Sequence, residues 1–443
     1  MKFEQIDTTI QTLGEAKIQS PLLQTADGGG GTYFVDDDER ILLHVNEKAV
    51  AELKAKKIPA PAFESAGPRR KIFFDPSKLR CALVTCGGLC PGLNDIIRSV
   101  VLELHHRYGV KNICGIRHGL QGFIPKYGHN TVDLTPESVV HILDSGGSIL
   151  GSSRGDQDIE EIVDSLERMH IGILFMIGGD GTLAAASKIA HVISKRGLKI
   201  SVIGVPKTID NDVYLVARSF GFDTAVDIAT QAISGAHNEA EAYPNGIGLI
   251  KLMGRESGFL AATAALARQD VNFVLIPEVP FDIDGPNGFL ENLEKRLVHR
   301  GHAVVVVAEG AGQGFFQGRK KMHDASGNVK LYDIGLLLKA KIMAYFKEKG
   351  FPVSLKYIDP SYIIRSLPAN ANDHVFCSFL GRDAVHAGMS GKTKMVVSHW
   401  NNHFVHVPMD QVITQRKKVD PDGKLWATVL EATGQNSLKN PSA

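Results

Sequence analysis

The stretch Met176–Ile–Gly–Gly–Asp–Gly–Thr182 reads as the end of a buried strand, a tight glycine turn and the start of a helix. Before it, Ile171–Gly–Ile–Leu–Phe–Met–Ile177 is an apolar run of strand length, the pattern of a sheet covered on both faces. After it, Leu183–Ala–Ala–Ala–Ser–Lys–Ile–Ala–His–Val–Ile193 is rich in strong helix formers. Gly178, Gly179 and Gly181 let backbone N–H groups approach an anion closely. The helix N-terminus behind them adds a favourable dipole, so phosphate is the natural guest. Asp180 suits such a place when a divalent cation stands between carboxylate and phosphate, which makes it a candidate magnesium ligand. The alternative is a plain turn in a doubly wound sheet, with Asp180 capping the helix.

Outward from this turn, strand-like runs alternate with helix-like ones, the signature of parallel βαβ units. Arg80–Cys–Ala–Leu–Val–Thr85 predicts a strand ending in Cys86–Gly–Gly–Leu–Cys–Pro–Gly92, a second glycine turn before a helix over 93–104. Further strands are predicted at 112–116, 200–205, 246–252, 273–276 and 303–308. Each run is apolar and featureless until its C-terminal end, where polar residues and glycines cluster. Ligands of open α/β sheets bind outside the carboxyl ends of strands, so the pattern predicts one crevice fed by several strand ends.

The richest of these ends is Val205–Pro–Lys207–Thr208–Ile–Asp210–Asn–Asp212. It offers a general base to take a proton from an attacking hydroxyl, with Thr208 to position the substrate. Phosphoryl transfer needs little else beyond positioning, charge neutralisation and a metal. Gly151–Ser–Ser–Arg154–Gly155 adds a guanidinium able to bridge phosphates. Leu252–Met–Gly–Arg255 and Glu309–Gly310 end two further strands, and a carboxylate at Glu309 suits sugar hydroxyls. Lys356–Tyr–Ile–Asp–Pro–Ser–Tyr362–Ile–Ile–Arg365 supplies cations and phenols for a sugar phosphate. The run His399–Trp–Asn–Asn–His403–Phe–Val–His406 has metal-like spacing but reads as a strand-and-loop surface.

Composition bounds the rest. A chain of 443 residues predicts two or three domains, and 44% apolar with 22% charged residues is globular. A formal charge of +1 without a basic stripe argues against nucleic acid. No run reaches the ~18 apolar residues of a membrane span, and the N-terminus lacks a signal-peptide pattern. Five cysteines, odd in number and without a paired CxxC arrangement, predict free thiols in a reducing cytoplasm. Residues 1–78, with a Gly28–Gly31 spacer, read as an accessory segment, and 408–443, with Arg416–Lys–Lys418, as a polar arm.

From about Leu79 to Ser398, the order and text of these motifs resemble the 6-phosphofructokinase family. The versions around Gly87–Gly88, Pro206–Asp212 and Tyr357–Arg365 look most like its atypical ATP-dependent branch, which is related to the pyrophosphate-dependent enzymes. The resemblance implies two Rossmann-like parallel-sheet α/β domains with the active site in the crevice between them, plus the N-terminal extension. The nucleotide-binding domain would span 79–221 with 364–407, and the sugar-phosphate domain 222–363. The implied reaction is magnesium-assisted transfer of the γ-phosphoryl group of ATP to the 1-hydroxyl of fructose 6-phosphate, by a homo-oligomer (dimer or tetramer).

By matching position, Asp210 would accept the proton, Asp180 would hold Mg2+, and Arg154 and Arg255 would neutralise charge. Gly88, Arg154, Gly155, Gly179, Asp180, Gly181 and Thr182 would line the nucleotide site. Thr208, Ile209, Asp210, Met253, Gly254, Arg255, Glu309, Tyr362, Ile363, Ile364 and Arg365 would form the sugar site. Lys356 falls where bacterial members carry an arginine for the 6-phosphate. Gly246 falls where they supply an arginine from a neighbouring subunit, Tyr362 replaces their histidine, and Ala185 stands where many relatives have glycine. Two residues set the donor expectation: Gly181 leaves room for a nucleotide, whereas Lys207 is the residue of pyrophosphate users. Gly181 is weighted more heavily, giving ATP. The alternatives are a pyrophosphate-dependent phosphotransferase and a catalytically silent nucleotide-binding regulatory subunit, which would need no base at Asp210.

Overall fold

The apolar run before the glycine turn forms the strand Ile173–Gly178, buried at every position. This is seen in a computed structural model that describes residues 6–23, 32–318, 320, 322 and 329–441, so the Gly28–Gly31 spacer lies outside the described residues. The chain divides into two compact units. One comprises 1–208, 213–221 and 366–415, the other 209–212, 222–365 and 416–443.

In the first unit, nine strands among the described residues form one sheet. Its centre is parallel, in the order Met395–Trp400, Ser201–Pro206, Ile173–Gly178, Arg80–Thr85, Asn112–Ile116. Pro206 lies opposite Gly178 and Thr85 opposite Ile177, so three adjacent strands finish level at their carboxyl ends. That level edge positions the glycine turns. Helices such as Asp180–Lys195 and Ala371–Met389 cover the sheet, which is why its central strands carry no polar alternation. Leu183, Ala186, Ile189 and Ile193 point one helical stripe into a core with Leu174, Met176 and Val202.

The described part of the N-terminal segment is built into this unit. Arg40–Leu42 and Ala62–Ser65 extend the sheet antiparallel, and Gln11–Thr12 pairs with Lys392–Thr393. The histidine-rich run is a hairpin, Met395–Trp400 with His403–Pro408, turned by Asn401 and Asn402, both at positive φ. His406 is fully buried, its Nδ1 3.0 Å from a Glu64 carboxylate oxygen, so it lies inside the sheet and not on a surface. All five cysteines are buried free thiols.

The second unit holds a four-stranded parallel sheet in the order Phe273–Leu275, His302–Ala308, Gly246–Leu252, Ser354–Ile358. Val304, Val305, Val306 and Val307 are completely buried, each worth roughly 1.5–3 kcal/mol relative to exposure. Helix Phe222–Glu241 presents Ala225, Ala229, Ala236 and Ala240 as a small-residue stripe. It lies so close to Gly246–Leu252 that a Cβ on Gly248 would come 2.8 Å from the Ala236 carbonyl oxygen. The C-terminal arm divides between the units: 408–415 belongs to the first, and 416–443 to the second, where helix Lys424–Thr433 buries Trp426 and Val429. No helix among the described residues is long and apolar enough to cross a membrane.

Candidate active site

Close approach fixes the first glycine turn. A Cβ on Gly178 would fall 2.2 Å from the Thr182 hydroxyl oxygen, and one on Gly179 would lie 3.3 Å from the Lys207 carbonyl oxygen. Gly179 is extended (φ −83°, ψ −166°) as the N-cap of Asp180–Lys195. The first-turn N–H groups of that helix have no intrahelical acceptor, which leaves donors for an anion. Asp180 is half-buried and Thr182 buried, while Gly181 is exposed and a Cβ there would meet nothing within 4 Å.

Lys207 joins this turn to the second one. Its backbone N–H donates to the Gly178 carbonyl (3.0 Å), and its ammonium group donates to the Gly88 carbonyl (2.7 Å). The Ser152 hydroxyl donates to the Gly87 carbonyl (2.6 Å), and the Thr85 hydroxyl to the Gly151 carbonyl (2.7 Å). Thus Gly88, the 151–155 loop, Lys207 and the 178–182 turn are laced along one sheet edge. Arg154 is exposed on that loop, and Gly155 takes the left-handed region at φ +95°. Thr208 follows, half-buried, its carbonyl accepting from the Ser219 hydroxyl at 2.7 Å. Ala185 is half-buried on the helix behind the turn, and packs against the core.

In the second unit, two strand ends are knitted together. The Glu309 N–H donates to the Leu252 carbonyl (2.9 Å) and the Gly310 N–H to the Gly254 carbonyl (3.1 Å). Gly254 sits at φ +130°, and a Cβ on Gly310 would fall 2.0 Å from the Arg255 carbonyl oxygen. The Asp210 carboxyl accepts a long 3.5 Å contact from the Arg255 N–H, and its carbonyl accepts from the Ser257 hydroxyl at 3.1 Å. Ile209 beside it is buried and Met253 half-buried. The Arg255 guanidinium donates to the Val329 carbonyl.

Electrostatics sharpen this cluster. Burial, with Asp212 and Glu309 nearby, pushes the Asp210 carboxyl up to about 8, against the Arg255 N–H and Arg416. Burial also raises Glu309, opposed by Lys251, Arg255 and Arg365. Arg365 stacks its guanidinium 4.7 Å from the Tyr362 ring. Tyr362 and Ile363 are exposed at 74% and 60%, whereas Ile364 is buried. Lys356 stands apart: its ammonium lies 4.0 Å from Glu239 and over the Tyr243 ring. Its strand partner is Gly248, four residues short of Leu252, about 13 Å down the strand.

Sequence reasoning missed two lysines. Lys251 lies 2.6 Å from Asp333 and 2.9 Å from Asp359. Burial opposes its charge, but these two hydrogen bonds prevail and raise its pKa. A lone cation inside an apolar strand was the available signal. Lys417 donates its N–H to the Asp212 carbonyl at 2.7 Å, and burial brings its ammonium down to about 7 against the pull of Asp212. The basic triplet in the tail gave no hint of that partner. Gly246, by contrast, gains a physical reason: a Cβ there would sit 2.0 Å from the Ala240 carbonyl oxygen, leaving no place for a side chain.

Comparison with known proteins gives the family. The Phosphofructokinase family profile matches residues 80–388. An ATP-dependent 6-phosphofructokinase of Borreliella burgdorferi is 50% identical over 99% of this chain and 99% of its own. One from Amycolatopsis methanolica is 49% identical, over 97% and 95% of the respective chains. Among solved structures, a pyrophosphate-dependent phosphofructokinase from Marinobacter aquaeolei superposes with a TM-score of 0.66 at 21% identity, covering 81% of this chain and 92% of that one. At that identity the likeness speaks for the fold alone, two Rossmann-like α/β units. With a family match over most of its length and near-full-length relatives at half identity, the chain belongs to the phosphofructokinase family.

Proposed function

We propose that the protein is an ATP-dependent 6-phosphofructokinase, which converts fructose 6-phosphate and ATP to fructose 1,6-bisphosphate and ADP. The observation that carries the reading is Asp210, a half-buried carboxyl raised toward neutrality beside Arg255 and Glu309, which follow two other strands. In its carboxylate form it takes the proton as the 1-hydroxyl oxygen attacks the γ-phosphorus. The bond from that phosphorus to the β–γ bridging oxygen breaks, and ADP leaves with the electron pair. A positioned base of this kind needs a pKa near the working pH, which burial supplies. Arg154 and Arg255 offset the charge on the transferring group.

On the donor side, Gly88, Gly155, Gly179, Gly181 and Thr182 line the nucleotide, with backbone N–H groups toward its phosphates. On the acceptor side, Thr208, Ile209, Met253, Gly254, Glu309 and Tyr362 to Arg365 hold the sugar phosphate. Asp180 fits magnesium: it is a hard carboxylate donor at a helix start, beside the open space at Gly181. When bound there, Mg2+ draws charge from the donor phosphates. The ATP-dependent relatives at 50% and 49% identity and the side-chain-free position 181 both support ATP over pyrophosphate. A homo-oligomer in the cytoplasm completes the reading, by analogy with the family.

The test is an assay of purified protein with fructose 6-phosphate, Mg2+ and either donor. Higher kcat/KM with ATP is expected. Higher kcat/KM with pyrophosphate overturns the donor, and nucleotide binding without turnover of either overturns the reaction.

A further inference from the structure

The second unit carries a cluster that phosphoryl transfer does not use. His237 and Glu241 stand one turn apart at the end of helix Phe222–Glu241 and so share a face. His302 opens the strand His302–Ala308, opposite Gly246. Glu241 Oε1 lies 3.5 Å from His237 Nε2 and 4.0 Å from His302 Nε2, and one donor atom from each residue falls within 4.8 Å of the others. The two imidazole centroids are 5.3 Å apart.

These spacings are close to those of a coordinated set. Donors at about 2.0–2.1 Å from one tetrahedral ion stand roughly 3.3–3.4 Å from each other. The His237–Glu241 pair already has that separation, and Glu241, 54% exposed, is free to swing the last ångström toward His302. Both imidazoles are four-fifths covered, at 19% and 20% exposure, so the ligands that must hold still are the packed ones.

A second observation points the same way. His237 Nδ1 faces the Asp270 carboxylate at 4.0 Å, and Asp270 is itself held by Arg268 at 2.6 Å. The His237–Asp270 separation is longer than a hydrogen bond; closed to hydrogen-bond distance, a carboxylate behind an imidazole orients a metal-binding histidine with its other nitrogen forward. The Arg296 Nε donates to the His302 carbonyl (3.3 Å).

We propose that His237, Glu241 and His302 bind a divalent transition-metal ion of the zinc class, with a fourth position open to water. Two imidazoles and one carboxylate suit zinc, cobalt or nickel and not magnesium, which prefers oxygen alone. The site lies at the opposite end of its strand from Glu309, seven residues or roughly 23 Å away. It therefore ties a helix end to a strand start and takes no part in the chemistry of Asp210.

The full-length protein, stripped with a chelator and free of Mg2+, ATP and sugar, is titrated with Co2+ and followed by visible absorption. One equivalent is expected to give the strong bands of a tetrahedral site, discharged by Zn2+. His237→Asn and Glu241→Gln are expected to bind about 10-fold more weakly or worse. Zn2+ should raise the unfolding midpoint of the wild type and not of the variants. Glu241→Gln changes an exposed side chain, so its turnover of fructose 6-phosphate with ATP should match wild type. Cobalt binding equal in the wild type and in the His237→Asn/His302→Asn double variant, or weak octahedral bands alone, overturns the proposal.

Discussion

Asp210→Asn should move activity and stability in opposite directions. The amide keeps the shape of the side chain but neither accepts the proton nor carries charge. Turnover should therefore fall by about 10²–10⁴, the usual contribution of a positioned base. The sugar KM should change much less, because the lost interaction belongs mainly to the transition state. For stability, the sign follows from the direction of the shift. Asp210 is raised on folding, from an ordinary 3.8 to about 8. Such a group contributes stability that is fully present below the unfolded pKa and is lost as pH rises through the folded one. Full realisation of that rise would cost the ionised form roughly 6 kcal/mol. The side chain is only half-buried, and Asp212 and Glu309 share the field, so screening by solvent leaves about 1–2 kcal/mol at pH 8.5. Asparagine carries none of it. Urea unfolding of the ligand-free protein, with chelator present, should show Asp210→Asn more stable than wild type at pH 8.5. The gap should narrow toward pH 5. In parallel, wild-type kcat/KM should decline as pH drops below about 8 and the base is protonated. A variant that turns over near the wild-type rate, or one no more stable than wild type at any pH, refutes the reasoning.

Asp180→Ala should remain folded by circular dichroism and lose turnover by at least about 10²; retained activity with an unchanged Mg2+ requirement would exclude it as the ligand. Gly181→Asp should fold normally, since its Cβ meets nothing within 4 Å, yet lower kcat/KM for ATP by more than about 100-fold through like-charge repulsion. Undiminished use of ATP by that variant would sink the donor argument. Gly246→Ala, whose Cβ would lie 2.0 Å from the Ala240 carbonyl oxygen, should destabilise the fold by about 1–3 kcal/mol, and an unchanged urea midpoint would count against that packing.

What could be read from sequence follows from how each element is buried. Parallel strands covered on both faces read as unbroken apolar runs, so Ile173–Ile177 and Val304–Val307 announce themselves, and so do the ends where they stop. The glycines at those ends are legible for a related reason, because Gly178 and Gly310 stand where any Cβ would strike a neighbour. The margin strands are another matter. Gln11–Thr12, Ile18–Gln19 and Arg40–Leu42 span two or three residues, mostly exposed, too short to show any period. Their pairing is a property of the sheet they join. Lys251 was visible as an oddity, but its partners Asp333 and Asp359 lie far along the chain, and no local pattern links them. The run from Lys356 to Arg365 crosses two elements. It begins in mid-strand and ends in a helix, so residues six apart in sequence serve different surroundings.

The donor question shows how burial changes the meaning of a residue type. By composition Lys207 is a cation for any phosphate, and its presence speaks for pyrophosphate as readily as for ATP. In the fold it is only 7% exposed, with its ammonium on the Gly88 carbonyl and its N–H on Gly178. One residue, by its backbone on one side and its side chain on the other, thus fastens the two glycine turns to each other. On the proposed function, a lysine employed in this way would hold the phosphate-facing backbone together for either donor and so need not discriminate between them. Gly181 is the reverse case. It lies in the first turn of the helix Asp180–Lys195, in a conformation any residue adopts, and nothing crowds it. The fold does not need glycine there. What a side chain at 181 would fill is the room next to the carboxylate of Asp180, where, on the proposed function, the α-phosphate of a nucleotide would pass. On the proposed function, selectivity for ATP would rest on the space left at 181, and the lysine at 207 is compatible with that because its charge is already engaged.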